Sequence, residues 1–336
     1  MSRRHLPVHH STLDSVFLAP TLGKLYPLRQ PFACRLYKAA GSDIYIVTSA
    51  SRTYWLKVYP HEYRSRREML AEVDLLDRLA SRGVAVARAV RRRDGCGVCT
   101  LRAPEGVRYA VLFADAPGEP VAVKDATAAQ SCAFGAMSGR MHKAMDTIRT
   151  GYPRAHLDLT HLLDDSLTCL KPFLTHRCSD FDYLRGVADD LRHRVAELLS
   201  KARPVYGLCH GDLHTQNAHF DDGGKPTLFD FEDFGYGWRA YDIAFFLGRA
   251  GVGWDRAAKA ARTRRWNAFL EGYLGQRGLS RSELQAVKVF VPIRQLWAIG
   301  FIFRHGIRYY GWHRIPETRL TESINFIRNW MRCYCQ

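Results

Sequence analysis

Residues 210–242 read HGDLHTQNAHFDDGGKPTLFDFEDFGYGWRAYD. Carboxylates, three histidines and an asparagine gather there at the ends of short apolar runs and at turns, not along one solvated face. Residues 205–208 read as a strand that delivers His210-Gly211-Asp212, and residues 227–231 as a second strand that delivers Asp230, with Asn217 between them. Acidic groups and an amide presented from neighbouring strand ends make a hard-oxygen site suited to Mg²⁺, which takes few protein ligands and fills its shell with substrate phosphates. Such a site uses Asn217 and Asp230 and leaves Asp212 to accept a proton.

Upstream elements must supply the positive charge. Residues 31–59 read as strands, 36–40 and 44–48 flanking a turn at Gly41-Ser42 and 53–59 following a second polar turn. Backbone N–H groups of the first turn can fold over an anion. In TYWLKVY the alternation sets Trp55, Lys57 and Tyr59 on one face, and a lysine buried there needs an anionic partner. Residues 66–79 follow a helical stripe through Met69, Val73 and Leu76, and Glu72 falls inside it. Pairing Glu72 with Lys57 satisfies both and leaves the ammonium able to reach a phosphate. Glu68 is the second choice, with a surface pair to Arg64 as its alternative role. Two more strands are expected at 84–90 and 108–113, the latter central, before Ala116-Pro117-Gly118-Glu119-Pro120 breaks the chain into lobes of residues 1–114 and 115–336. Helices at 125–144, 161–173 and 181–199 read as scaffold, and His142, His156 and His161 as core or surface residues.

HGDLHTQN resembles the HGDxxxxN catalytic loop of the aminoglycoside phosphotransferase and choline kinase superfamily, and LFDFED followed by YDIAFFL resembles its metal-binding segment and the next helix. That resemblance covers roughly residues 35–250. It implies an α+β, bilobal, protein-kinase-like fold with a small β-rich lobe and a larger, mainly helical one. It further implies ATP and Mg²⁺ as cofactors, Asp212 as the base with His210 beside it orienting the loop, Asn217 and Asp230 as metal ligands, and Asp242 as a structural brace. Lys57, Glu72, Gly41 and Ser42 match the nucleotide-holding positions, and Leu112 to Ala114 would offer backbone groups to the adenine. Glu232, Asp233, His214 and His219 lie beyond the minimal pattern; the two histidines read as packing residues.

Composition bounds what these residues serve. With 336 residues, 47% of them hydrophobic, the chain can bury a large core. The most apolar stretch, 287–303, is interrupted by Lys288, Pro292 and Arg294, and the opening residues lack the apolar run of a signal peptide, so a cytoplasmic protein without membrane contact is expected. Nine scattered cysteines, Cys96 and Cys99 among them, suit a reducing compartment. The net charge is +16: residues 1–114 carry 19 Lys and Arg against 9 Asp and Glu, and the remainder 30 against 24. Arg88, Arg91, Arg92 and Arg93 form the densest cluster, but no aromatic platform accompanies it, which disfavours nucleic acid. A basic large lobe suits polycationic antibiotics poorly and points to a hydroxylated small molecule as acceptor. A stress-response protein kinase or a homoserine kinase of the same superfamily is the alternative, and an inactive binding module a more distant one. Acceptor contacts are expected from helices over 125–200 and 256–330, with Trp238, Trp254, Trp266, Trp297 and Trp312 as stacking surfaces or core.

Overall fold

The small lobe grows from the period-2 pattern. In the computed structural model, which describes residues 8 and 10–335 apart from 51, 252 and 310–315, helix α1 (Ser15–Leu25) comes first, its N-terminus capped by Asp14. Trp312 and the basic opening residues fall outside the described residues. Strands β1 (Phe32–Ala40), β2 (Ser42–Ser49) and β3 (Arg52–Val58) follow as expected. Helix α2 (Arg66–Ala80) starts at a capping box in which Ser65 and Glu68 bond reciprocally. Glu68 is therefore occupied at the helix start. Strands β4 (Cys99–Ala103) and β5 (Gly106–Ala114) complete a five-stranded sheet ordered β1-β2-β3-β5-β4. Leu18 and Leu22 of α1 cover Tyr45, Val47, Leu56 and Val58 on one face. Asp43 and Arg108 form a fully buried ion pair at 2.8 Å.

The strand expected at 84–90 does not form. Val86 bridges to Leu228 of the large lobe and Ala89 to Phe113 of β5, so the segment changes partner between lobes and cannot hold one ladder. Arg88 and Arg91 pair with Asp77, and Arg92 with Asp94.

Beyond the hinge, β6 (Glu119–Pro120) leads to α3 (Ala128–Thr147), β7 (His156–Leu157), a π turn at Thr160–Asp164, α4 (Asp165–Leu170) and α5 (Cys178–Leu198). The catalytic segment carries β8 (Tyr206–Cys209), β9 (Ala218–Phe220), β10 (Pro226–Leu228) and β11 (Gly235–Trp238). These form two three-stranded sheets, β10-β9-β6 and β7-β11-β8. Helices α6 (Arg239–Arg249), α7 (Arg256–Leu274), α8 (Arg281–Tyr309) and α9 (Glu317–Tyr334) close the lobe. By length and composition α8 could cross a membrane, contrary to the expectation from its interrupting charges. Here its apolar residues, Val287, Phe290, Ile293 and Leu296 among them, are spent in the core.

Three glycines let α3 and α7 cross with backbones nearly touching. A Cβ on Gly135 would collide with Phe269 O, one on Gly272 with Cys132 O, and one on Gly139 would lie 2.7 Å from Tyr273 O. This crossing sets the separation of His142 on α3 from Tyr273 on α7. Replacing Gly272 with alanine forces the helices apart, at about 1–3 kcal/mol for an overpacked interior. Urea unfolding should show that loss for Gly272→Ala and almost none for Gly278→Ala, whose added methyl meets nothing within 4 Å.

Candidate active site

Strand β8 ends at Cys209, and the next two amides are claimed by one carboxylate. Asp242, in the first turn of α6, accepts from His210 N at 2.6 Å and Gly211 N at 2.8 Å. His142 Nε2 lies 2.9 Å from the same carboxylate, and His142 Nδ1 lies 2.8 Å from the Tyr273 hydroxyl. An ionised Asp242 only accepts, so the imidazole donates from Nε2 and accepts at Nδ1. Burial outweighs Asp242 and pulls His142 down to about 4, which keeps the ring neutral. Gly211 sits at φ +88°, and a Cβ there would collide with Asp233 O, so the motif requires glycine for both backbone shape and close approach. His210 is wholly buried, with Nε2 3.1 Å from Phe229 O and Nδ1 accepting from Asp212 N at 3.3 Å. It ties two strand ends together as a positioning residue.

Asp212 emerges from this frame with a partner the sequence did not announce. Arg294, mid-way along α8, donates to Asp212 Oδ1 and stacks over Trp297, its guanidinium 4.3 Å from the ring centre. His214 Nε2 lies 3.3 Å from Asp212 Oδ2, and its ring packs on Phe245 with centroids 4.7 Å apart. Burial pushes the Asp212 carboxyl up, but Arg294 and then His214 outweigh it and hold the group well below the ordinary carboxylate range. Asn217 Nδ2 donates to Asp212 O at 3.0 Å and lies 3.3 Å from Oδ2, which turns Asn217 Oδ1 away as a spare acceptor. Phe229 N donates to Asn217 O at 3.0 Å, so Asp230 stands beside Asn217. Asp230 adopts φ +62°, rare for a residue with a side chain, and its carboxylate is about a third exposed (37%). One carboxylate and one amide oxygen fit a hard divalent cation that completes its shell with phosphates. No group of three His, Cys, Asp or Glu side chains among the described residues offers a rival site.

Lys57 crosses from the small lobe to this centre. Its ammonium lies 2.6 Å from Asp230 Oδ1 and 2.7 Å from Glu232 Oε2. The expected pair with Glu72 is not made: Glu72 is buried as its stripe predicts, but its Oε2 accepts from the Tyr59 hydroxyl at 3.0 Å. Two acids from the other lobe have taken its place. Burial pushes Glu232 up to about 7, with Lys57 opposing. Asp233 pairs with Arg64, and Arg154 donates to Glu232 O at 2.8 Å and Phe234 O at 2.7 Å. Neither acid caps a turn; both knit the lobes together.

The nucleotide-side expectations fare unevenly. Gly41 alone turns β1 into β2, close to Lys57 because Ile44 faces it across the ladder, while Ser42 is buried and Asp43 is locked to Arg108. Leu112 O accepts from Val90 N at 2.7 Å, and Ala114 N donates to Arg88 O at 2.8 Å. Both groups proposed for adenine thus face the 84–90 segment, because β5 is an interior strand with a neighbour on each side. Among the outlying histidines and tryptophans, His219 contacts the hinge at Ala116 O, Trp238 is core, Trp254 and Trp266 pack on aromatic neighbours, and His161 and Trp297 border a cavity behind Gly211. Arg294 was the residue missed; its signal was a charge flanked by core positions of α8, Ile293 and Leu296 among them.

Residues 35–283 match the phosphotransferase enzyme family. A Synechocystis protein, sll1119, is 34% identical over 295 residues, covering 87% of this chain and 79% of its own. Amicoumacin kinase of Bacillus subtilis is 27% identical over 277 residues, covering 80% and 79%. Among solved structures, amicoumacin kinase hAmiN in complex with AMP-PNP, Ca²⁺ and Ami superposes with a TM-score of 0.75 at 22% identity, over 95% of this chain and 94% of that one. The chain belongs to the phosphotransferase enzyme family, has its kinase-like bilobal fold, and is a phosphotransferase with an alcohol group as acceptor.

Two measurements check the frame. His142 titrates near 6.5 when unfolded and about 4 when folded, so its contribution is present above pH 6.5 and lost as pH falls toward 4. Urea unfolding across that window should show a loss of up to roughly 3 kcal/mol, absent in His142→Gln. A double-mutant cycle of Arg294→Met and Asp212→Asn should return a coupling of about 1–3 kcal/mol; additive effects would mean that the pair does not hold Asp212.

Proposed function

We propose that the chain transfers the γ-phosphate of ATP to a hydroxyl of a small molecule, with Asp212 receiving the hydroxyl proton. The observation that carries this is the meeting of Lys57 and Asp230 at 2.6 Å across the cleft, on the side where Asn217 and Asp212 stand. Lys57 brings fixed positive charge to the place where β- and γ-phosphates would lie, and its two acidic contacts are ones a polyanion can replace. Asp230 and Asn217 Oδ1 would hold Mg²⁺, which supplies further charge neutralisation at the phosphate oxygens. The acceptor oxygen attacks Pγ, the bond from Pγ to the bridging oxygen breaks with its electrons leaving on ADP, and the proton passes to Asp212.

A carboxylate held ionised by Arg294 is a weak base, which suits this reaction. Phosphoryl transfer through a loose transition state asks chiefly for orientation, and the proton moves late. Arg294, Asn217 and the backbone brace of Asp242 each fix one side of Asp212. Nine free cysteines fit the cytoplasm as the place of this chemistry.

Calorimetric titration with ATP should show binding that strengthens with Mg²⁺. Asp212→Asn should then retain nucleotide affinity within a few-fold while losing about 10²–10⁴ in kcat. Absence of nucleotide binding by the wild-type chain would remove the proposal, and unchanged turnover in Asp212→Asn would remove the base.

A further inference from the structure

Behind Gly211, one residue from Asp212, lies a cavity of about 200 Å³ between α8, the 154–166 segment and the Asp233-Phe234 turn. Its volume falls short of the roughly 300–1,000 Å³ of pockets that take drug-sized ligands. One wall is the face of α8 that carries Trp297, Phe301 and Arg304, with Trp297 and Phe301 stacked at 5.2 Å; Arg294 precedes them on that face, outside the cavity lining. Arg294 at one end of that face holds Asp212. Arg304 stands at the other end, in the cavity lining and exposed.

The lining is cationic. Asp233 is its carboxylate, and Arg64 already neutralises it. Arg154 donates to the backbone oxygens of Glu232, Phe234 and Glu68, and the carboxylates of Glu68, Glu72 and Asp233 act on it without pairing directly. Arg304 contacts Cys169 Sγ and Asp165 O, both at 3.1 Å and both uncharged. Neither Arg154 nor Arg304 makes an ion pair among the described residues. An ammonium group brought here would meet two guanidinium ions, whereas a carboxylate or phosphate would meet their charge and the N–H groups that these contacts leave over. The stacked Trp297 and Phe301 cover the carbon skeleton between that anion and the hydroxyl.

We infer that the acceptor is a small alcohol carrying a carboxylate or phosphate, bound in this cavity with its anionic end toward Arg304 and Arg154 and its hydroxyl toward Asp212. The inference rests on the kinase reading above and narrows it. It separates this chain from kinases of cationic acceptors, whose ammonium groups the cavity repels.

The test compares matched acceptors by ADP release with the full chain and Mg·ATP: glycerol, 3-amino-1-propanol, L-homoserine, D-glycerate and glycerol 3-phosphate. Nucleotide binding is measured separately by calorimetry. At least one of the last three should exceed glycerol and the amine tenfold or more in kcat/KM, and the ranking of glycerate against glycerol phosphate distinguishes carboxylate from phosphate. Arg304→Glu, a change at an exposed position, should lower the ratio of anionic to neutral acceptor at least tenfold. Preference for the amine or glycerol, silence of every anionic alcohol while Mg·ATP binds, or an unchanged ratio in Arg304→Glu overturns the inference and leaves the kinase reading standing. Failure of Mg·ATP to bind removes the kinase reading itself, a distinguishable result.

Discussion

The carboxylate of Asp242 is the point on which the site's geometry depends. Taking it out of water costs several kcal/mol, and only a full set of donors offsets that. It finds them in two consecutive amides, His210 and Gly211, and in the His142 imidazole. Hydrogen bonds to a charged group are worth about 1.5–3 kcal/mol each, so the set is strong enough to fix the main chain on leaving β8. Asp212 then points where that chain directs it. The constraint extends outward: Tyr273 holds the far side of His142, and the glycine crossing of α3 and α7 sets the distance at which it can. It also extends inward, since Gly211 can approach Asp233 O only without a Cβ, which places the turn that carries Asp230 and Glu232.

The lobes meet along two seams of different physics. Leu75, Leu76 and Leu79 of α2 join the same apolar cluster as Leu213 and Phe231, a contact that no solute displaces. The other seam is ionic: Lys57 to Asp230 and Glu232, and Arg64 to Asp233. At an effective dielectric near 20 a pair at about 4 Å gains roughly 4 kcal/mol, much of it returned as desolvation. Such a seam is exchangeable, because a polyanion with its cation can supply the same charges. The apolar seam keeps the lobes in register while the ionic one opens to chemistry.

Much of this is legible in the sequence. HGD, the asparagine five residues on, Asp230 and Asp242 lie within one local segment, where spacing along the chain is nearly spacing in space. The alternation of β3 and the stripe of α2 gave the burial of Lys57 and Glu72 correctly but not their contact. Facing inward says only that a charge needs a partner, and Glu232 competed from 175 positions away in the chain. The adenine-facing groups failed for a related reason: the donor and acceptor directions of β5 depend on which neighbour flanks it, and the 84–90 segment was assigned a strand's regularity it lacks. Arg294 was read as a break in an apolar run because its partner lies on another element.

Arg294 shows how a cost in stability becomes a constraint on chemistry. An arginine buried at 6% exposure in the middle of a 29-residue helix is expensive unless an anion meets it, and the partly buried Asp212 is costly for the opposite reason. Each offsets the other, so neither can be exchanged alone for an apolar residue. The stack on Trp297 adds about 0.5–2 kcal/mol and fixes the plane of the guanidinium. A side chain so held presents the same edge to Asp212 whatever occupies the cleft. The orientation of the Asp212 carboxylate is thus set by α8 as well as by the 210–217 loop, and the same helix carries Trp297, Phe301 and Arg304 along one face. Asp212's ion-pair partner and one wall of the cavity behind Gly211 thus belong to a single helix.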